Sequence, residues 1–146
     1  MALLEKYLEI KKSTIPGAGK GLFTKVKIEK GTRILQYTGD ITTWKDVDHV
    51  NGTNPYIYYV NRNHVIDARR HPNALGRYAN DARGLQRQKG INNNANYVKD
   101  GLNVYIEATR NIPAGSEILV SYGKEYWDVI KKNKGIDNDT TDSDAG

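Results

Sequence analysis

Tyr56-Ile57-Tyr58-Tyr59-Val60-Asn61-Arg62-Asn63-His64-Val65-Ile66-Asp67 sets two runs of β-branched and aromatic residues on either side of a polar three-residue turn. That pattern predicts a β-hairpin. Working outward, residues 95–98 and 103–108 form a second such pair around the turn Lys99-Asp100-Gly101. Toward the N-terminus, residues 7–11 alternate. Pro16-Gly17-Ala18-Gly19-Lys20-Gly21 is a loop before Leu22-Phe23-Thr24, and Glu29-Lys30-Gly31 turns the chain into residues 33–37. Toward the C-terminus, Pro113-Ala114-Gly115 leads into Glu117-Ile118-Leu119-Val120. Helix is scarce. Thr42 or Thr43 caps one or two turns over residues 44–50, and residues 74–79 are a short helical stretch. Tyr126, Trp127, Val129 and Ile130 lie near helical spacing in residues 125–132. Residues 83–94 read as a polar surface loop. Short strands at close intervals predict a mostly β domain rather than a parallel βαβ sheet.

A chain of 146 residues supports one core and is too short for two. Its 38% hydrophobic content is low without being that of a disordered chain, and 14 glycines with four prolines suit short strands and tight turns. Cysteine is absent, which excludes disulfides, a thiolate nucleophile and cysteine-ligated zinc. His49, His64 and His71 have no metal-ligand spacing, so no metal is expected. The opening MALLEKYLEIKK carries too short an apolar run for a signal peptide, and no segment is long enough to span a bilayer. A soluble, intracellular protein is expected. The net charge of +5 is unevenly spread: one lysine and four aspartates from Lys134 onward give that stretch −3 and leave +8 for the rest. Residues 133–146 read as a disordered acidic tail behind a domain of residues 1–132. The basic remainder is either a solvated surface or the footprint of an anionic partner such as nucleic acid.

Gly17-Ala18-Gly19-Lys20-Gly21 invites a nucleotide reading that its spacing refuses. The dinucleotide fingerprint needs Gly-x-Gly-x-x-Gly between a strand and a helix, and Leu22 stands where the third glycine belongs. The phosphate loop fails too, since Gly21 rather than Ser or Thr follows Lys20. A glycine-rich β-turn is the plain alternative, although glycines also let backbone approach a flat ligand.

The loop belongs to a series of blocks in fixed order: residues 12–23 with the glycine loop; Tyr37-Thr38-Gly39-Asp40; Ile66-Asp67-Ala68; Gly76-Arg77-Tyr78-Ala79-Asn80-Asp81; Asn94 before Ala95; and Arg110-Asn111-Ile112-Pro113-Ala114-Gly115-Ser116-Glu117-Ile118-Leu119-Val120-Ser121-Tyr122-Gly123. Together they resemble the SET-domain protein lysine methyltransferases over about residues 8–127. The match is to that family's opening glycine loop, its Tyr-x-Gly-Glu turn, its Ile-Asp-Ala strand, its Arg-Phe-x-Asn-His motif, the Asn of its Pro-Asn pair and its Gly-Glu-Glu-Leu…Tyr-Gly ending. Two departures stand out. Asp81 replaces the family's histidine, and the cysteine-rich C-terminal segment gives way to Lys124-Glu125-Tyr126-Trp127.

The resemblance implies a β-clip SET fold, with several small sheets of short strands around a knot-like core. It also implies transfer of a methyl group from S-adenosyl-L-methionine to a lysine side chain of a protein, with histones as candidate substrates. Location would be nuclear in a eukaryote and cytoplasmic in a bacterium. Tyr122 becomes the main catalytic residue, with Tyr37 and Tyr97 lining the same lysine channel. Ala18, Gly19 and Lys20 would approach the methionine part of the cofactor, Asn80 its amino or carboxylate end, and Asp81 the adenine through main-chain atoms. Trp127 either stacks near the adenine or anchors an amphipathic helix. Val120 stands where the family often places the Phe or Tyr that limits methyl number, and Tyr97 could take over that restriction, which points to monomethylation. Arg77 and Tyr78 read as a packing pair. Tyrosines suit such a channel because each offers an apolar face and one hydroxyl. The competing expectations are a catalytically silent module that binds basic tails or nucleic acid on this fold, and a plain basic β-barrel nucleic-acid binder.

Overall fold

The computed structural model describes residues 3–50, 54–82 and 90–122. Eight strands run in chain order: β1 (Leu8–Lys12), β2 (Lys20–Thr24), β3 (Arg33–Gln36), β4 (Asp40–Thr42), β5 (Ile57–Asn61), β6 (His64–Asp67), β7 (Ala95–Asp100) and β8 (Asn103–Ala108). They form three antiparallel sheets, ordered β1-β2, β3-β8-β7 and β4-β6-β5. Both hairpins expected from the sequence are present. The second is tighter than predicted: β7 runs on to Asp100, which pairs with Asn103 across Gly101 and Leu102.

Burial follows from position in the sheets. Along β8, Val104, Ile106 and Ala108 are buried while Tyr105 and Glu107 between them are half-buried, the period-2 pattern of a strand with one covered face. Central strand β6 buries Val65, Ile66 and Asp67 in succession. Leu8, Leu22, Ile34, Leu35, Ile106, Ile112, Ile118 and Val120 form the main core, to which β1, β2, β3 and β8 all contribute. Tyr37, Ile66, Ala68 and Val104 make a second cluster, joined by Tyr56, Tyr58 and Tyr97.

Residues 117–120, predicted as a strand, join no named sheet. Phe23 bridges Glu117, Asn80 bridges Leu119 and Ala95 bridges Val120, the first antiparallel and the others parallel. The Ile118 amide donates to Leu22 at 2.7 Å and the Val120 amide to Asn80 at 2.9 Å. Partners change residue by residue, so no continuous ladder forms and the segment instead fastens three distant parts of the chain. Asn94 clamps it with its side chain: Nδ2 donates to the Glu117 carbonyl and Oδ1 accepts from the Leu119 amide, each at 2.9 Å.

Helical structure is slight among the described residues. Leu75–Tyr78 is a 3-10 helix. Residues 43–47 make one turn, closed by the Val47 amide on the Thr43 carbonyl, with Thr43 Oγ1 accepting from the Asp46 amide. Thr43 is therefore the cap. The expected helix over 125–132, the tail and most of the 83–94 loop lie outside the described residues.

Gly39, between β3 and β4, lies against β6 so closely that a Cβ there would overlap the Asp67 carbonyl and stand 2.6 Å from its carbon and 2.8 Å from the Ala68 amide nitrogen. All three atoms are backbone, which cannot swing aside. Gly39→Ala should destabilise the fold by about 1–3 kcal/mol, the usual range for overpacking, read as a lower urea midpoint with an unchanged slope.

Candidate active site

The second cluster opens into a group of tyrosines centred on Tyr97. Tyr37 meets its ring edge-on at 5.8 Å between centroids, Tyr58 lies at 5.0 Å, and Tyr122 stacks on it at 6.4 Å. Tyr37 and Tyr58 also touch, at 6.2 Å. Three of these rings come from strands or strand ends in two sheets, and the fourth from the last described residue. The Tyr37 hydroxyl donates to the Tyr56 carbonyl at 2.7 Å, and the Tyr122 hydroxyl to the Ala79 carbonyl. Burial pushes the Tyr58 phenol up from its ordinary pKa, so it is a neutral hydroxyl at physiological pH. The structure thus brings the sequence-predicted Tyr37, Tyr97 and Tyr122 together and adds Tyr58. Val120 is fully buried in the main core.

Next to this group is the glycine loop. The Ser13 amide donates to Gly19 and the Ala18 amide to Ile15, which fixes the loop's course. Beneath it lies Glu117, only 5% exposed. Its carboxylate accepts from Ser13 Oγ at 2.7 Å, the Thr14 amide at 2.8 Å, Thr14 Oγ1 at 2.6 Å and Asn80 Nδ2 at 3.3 Å. These donors are neutral but numerous enough to hold a buried charge. Gly21 is needed above it, because a Cβ there would overlap the carboxylate.

Residues 79–81 join the two halves. Ala79 receives the Tyr122 hydroxyl, Asn80 receives the Val120 amide on its carbonyl, and Asp81 Oδ2 receives the Tyr122 amide at 2.8 Å. Asn80 Nδ2 also donates to the Lys20 carbonyl at 3.0 Å. Since both partners of Nδ2 are acceptors, the amide cannot be turned over, and Oδ1 is the atom Asn80 offers to a ligand. The role expected of Asp81 uses its main chain, which leaves the side chain for other work. Its side chain is buried and is the structural element, tying Tyr122 and Asn93 in place. Arg77 and Tyr78 pack as expected: Arg77 donates to the Ala68 and Arg69 carbonyls and lies 4.2 Å over the Tyr56 ring, while Tyr78 donates to Pro72. Trp127 lies outside the described residues.

The loop suits a ligand held by backbone. Gly19 has φ +74°, is exposed, and has open space where a side chain would stand, with half-buried Ala18 and exposed Lys20 beside it. Half-buried Asn80, with its NH2 held by Lys20 and Glu117, and the open loop backbone are the hydrogen-bonding groups this side of the site has for a polar ligand. Among the described residues no group of three or more His, Asp or Glu side chains is placed to hold a metal ion, and no helix is long and apolar enough to cross a membrane.

Sequence reading missed Glu117 and Tyr58. Both had a signal. A carboxylate between Gly115 and an apolar run must find donors if the run is buried, and Tyr58 shares the period-2 face of Tyr56 and Val60.

Comparison with known proteins agrees with this arrangement. The profile of the SET domain family matches residues 19–123. N-lysine methyltransferase KMT5A-A of Xenopus laevis is 27% identical over 139 residues, which cover 88% of this chain and 40% of that protein. N-lysine methyltransferase KMT5A-A of Danio rerio is 27% identical over 119 residues, 75% of this chain and 33% of that protein. The chain thus spans about two fifths or less of the length of these relatives. Among solved structures, the methyltransferase domain of human PR domain-containing protein 2 superposes with a TM-score of 0.59 at 24% identity, over 80% of this chain and 77% of that one, a likeness of fold. Small antiparallel sheets, a C-terminal segment fastened between three partners, and a family profile spanning most of the sequence lead to one conclusion: the chain belongs to the SET domain family.

Proposed function

We propose that this protein is a protein-lysine N-methyltransferase that uses S-adenosyl-L-methionine, with the catalytic unit in residues 1–132 and an acidic tail in 133–146. One observation carries the reading. Tyr122 stands in the tyrosine cluster and is bonded through both its hydroxyl and its amide to residues 79–81, the segment that also holds the glycine loop through Asn80.

S-adenosylmethionine, when bound, supplies an electrophilic methyl on a sulfonium. Ala18, Gly19 and Lys20 would hold its methionine portion through backbone, Asn80 Oδ1 its ammonium, and Asp81, through main-chain atoms, and Trp127 the side nearest the adenine. The chain's own work is positioning. Tyr37, Tyr58 and Tyr97 wall a passage that removes water from an entering lysine; desolvation favours the neutral amine, which is the nucleophile. Tyr122 gives its proton to Ala79, so the hydroxyl oxygen presents lone pairs and can accept an amine N–H. That bond turns the nitrogen's own lone pair along the line of transfer, the alignment on which the rate depends. Tyr97, packed against both Tyr37 and Tyr122, leaves little room for a methylated nitrogen, which favours a single methyl.

The substrate is a protein with an exposed lysine, a histone in the first instance, encountered in the nucleus of a eukaryote or the cytoplasm of a bacterium. The test is transfer of labelled methyl from S-adenosylmethionine to histones and lysine peptides, with products weighed by mass spectrometry. One methyl per target lysine is expected. Cofactor binding without transfer to any lysine would favour a silent binding module, and indifference to the cofactor would defeat the reading altogether.

A further inference from the structure

Among the described residues, the Tyr122 amide and the Asn93 side chain converge as hydrogen-bond donors on position 81. The Tyr122 amide reaches Asp81 Oδ2 at 2.8 Å, and Asn93 Nδ2 reaches Oδ1 at 2.9 Å. Asn93 is itself oriented, because its Oδ1 accepts the Ala82 amide at 2.8 Å. A backbone amide cannot become an acceptor, and Asn93 cannot turn over without setting its own NH2 against Ala82. The site therefore calls for a side chain that accepts on both terminal atoms. Among the twenty side chains only a carboxylate does so. A histidine ring offers one acceptor nitrogen at most, and a neutral amide one acceptor oxygen. The geometry explains the aspartate as the partner of Asn93 rather than as a loss.

Tyr122 is the beneficiary. Its hydroxyl is tied to Ala79 and its amide to Asp81, so the same three-residue segment holds it at both ends. Asp81 is 5% exposed, and a charge-assisted bond in so dry a place is stiff. We propose that Asp81 is the positioning residue of the active site: with Asn93 as its brace, its carboxylate fixes the backbone of Tyr122 so that the phenol stays stacked on Tyr97 beside Asn80. The inference rests on the reading of Tyr122 as the catalytic tyrosine and adds the device that orients it.

The bond pattern supplies its own control. Asp81→Asn sets the new amide's NH2 against that of Asn93 while its oxygen still serves Tyr122. Combined with Asn93→Asp, the exchange restores each bond: the new carboxylate at 93 accepts from the new amide and from Ala82, and the amide oxygen at 81 accepts from Tyr122. Charge and composition are those of the wild type. Two measurements are made on the full chain. Amide hydrogen exchange by NMR reads the Tyr122 N–H directly and needs neither cofactor nor turnover. Steady-state kinetics with S-adenosylmethionine and a lysine peptide reads the consequence. For Asp81→Asn, Tyr122 exchange should accelerate at least tenfold and kcat should fall at least tenfold, with both KM values within threefold of wild type. The double variant should bring both back to within threefold. Unchanged Tyr122 exchange in Asp81→Asn, or a double variant as impaired as the single, would overturn the proposal. Wild-type protein that shows the exchange pattern but transfers no methyl would overturn the functional reading and leave the positioning of Tyr122 standing.

Discussion

Tyr122→Phe should fold and bind S-adenosylmethionine yet lose about 100-fold or more of kcat, the effect usual for removing one polar group aimed at a reacting centre. The ring stays, so stacking on Tyr97 survives. What goes is one oxygen that donates to Ala79 and presents lone pairs to the passage. The stability cost is that of one hydrogen bond, about 1 kcal/mol, a small share of a domain's usual margin. The loss should appear in kcat and not in the KM for the cofactor, whose contacts come from the glycine loop and Asn80. Equal loss in Tyr37→Phe would be surprising, since Tyr37 is only 4% exposed whereas Tyr122 is half-buried and within reach of an entering amine. Stopped-flow or single-turnover transfer to a lysine peptide separates the chemical step from binding. A Tyr122→Phe protein that turns over like wild type would remove the phenol from the mechanism.

The hairpins were legible in the sequence because their signal is local. β-branched and aromatic runs around a polar turn fix β5–β6 and β7–β8 without help from the rest of the chain. The convergence of Tyr37, Tyr97 and Tyr122 was legible only through motif order, for no local rule brings a residue after β3, one in β7 and one beyond β8 to a common ring centre. Three features were not legible. Residues 117–120 look like a strand and are extended, but which backbone each residue bonds depends on where Leu22, Asn80 and Asn94 arrive in space. Glu117 could be flagged as a carboxylate in an apolar run, yet its donors Ser13 and Thr14 lie over a hundred residues away. Asp81 read as a substitution of one residue, whereas its meaning is shared with Asn93. In each case the sequence shows that a polar group must be satisfied, and only the tertiary arrangement says by what.

Glu117→Gln should weaken S-adenosylmethionine binding about tenfold while leaving the KM for a lysine peptide near that of wild type. The reason lies in which donor loses its partner. Glutamine keeps the shape and one acceptor oxygen. Facing Thr14, that oxygen can still take both the Thr14 amide and Thr14 Oγ1. The new NH2 then faces Ser13 Oγ, a hydroxyl that can turn and accept, and Asn80 Nδ2, which cannot. The conflict therefore falls on Asn80. Its NH2 keeps the Lys20 carbonyl but meets a donor where it met a carboxylate, so the amide is no longer held with Oδ1 outward. A binding loss of tenfold, about 1.4 kcal/mol, is what a single misoriented hydrogen bond to a charged ammonium amounts to. Glu117→Ala is the harsher comparison. It takes the carboxylate from four donor groups under the glycine loop, of which Ser13 Oγ is buried while Thr14 can turn to water and Asn80 keeps Lys20, so at about 1–3 kcal/mol for a buried donor left unpaired it should lower the fold's stability by about that much. Calorimetric titration with the cofactor, alongside thermal unfolding of both variants, separates an altered site from a failing fold. Cofactor binding at full strength in Glu117→Gln would mean that Asn80 is oriented by Lys20 alone, and the carboxylate would then be only a support for the loop.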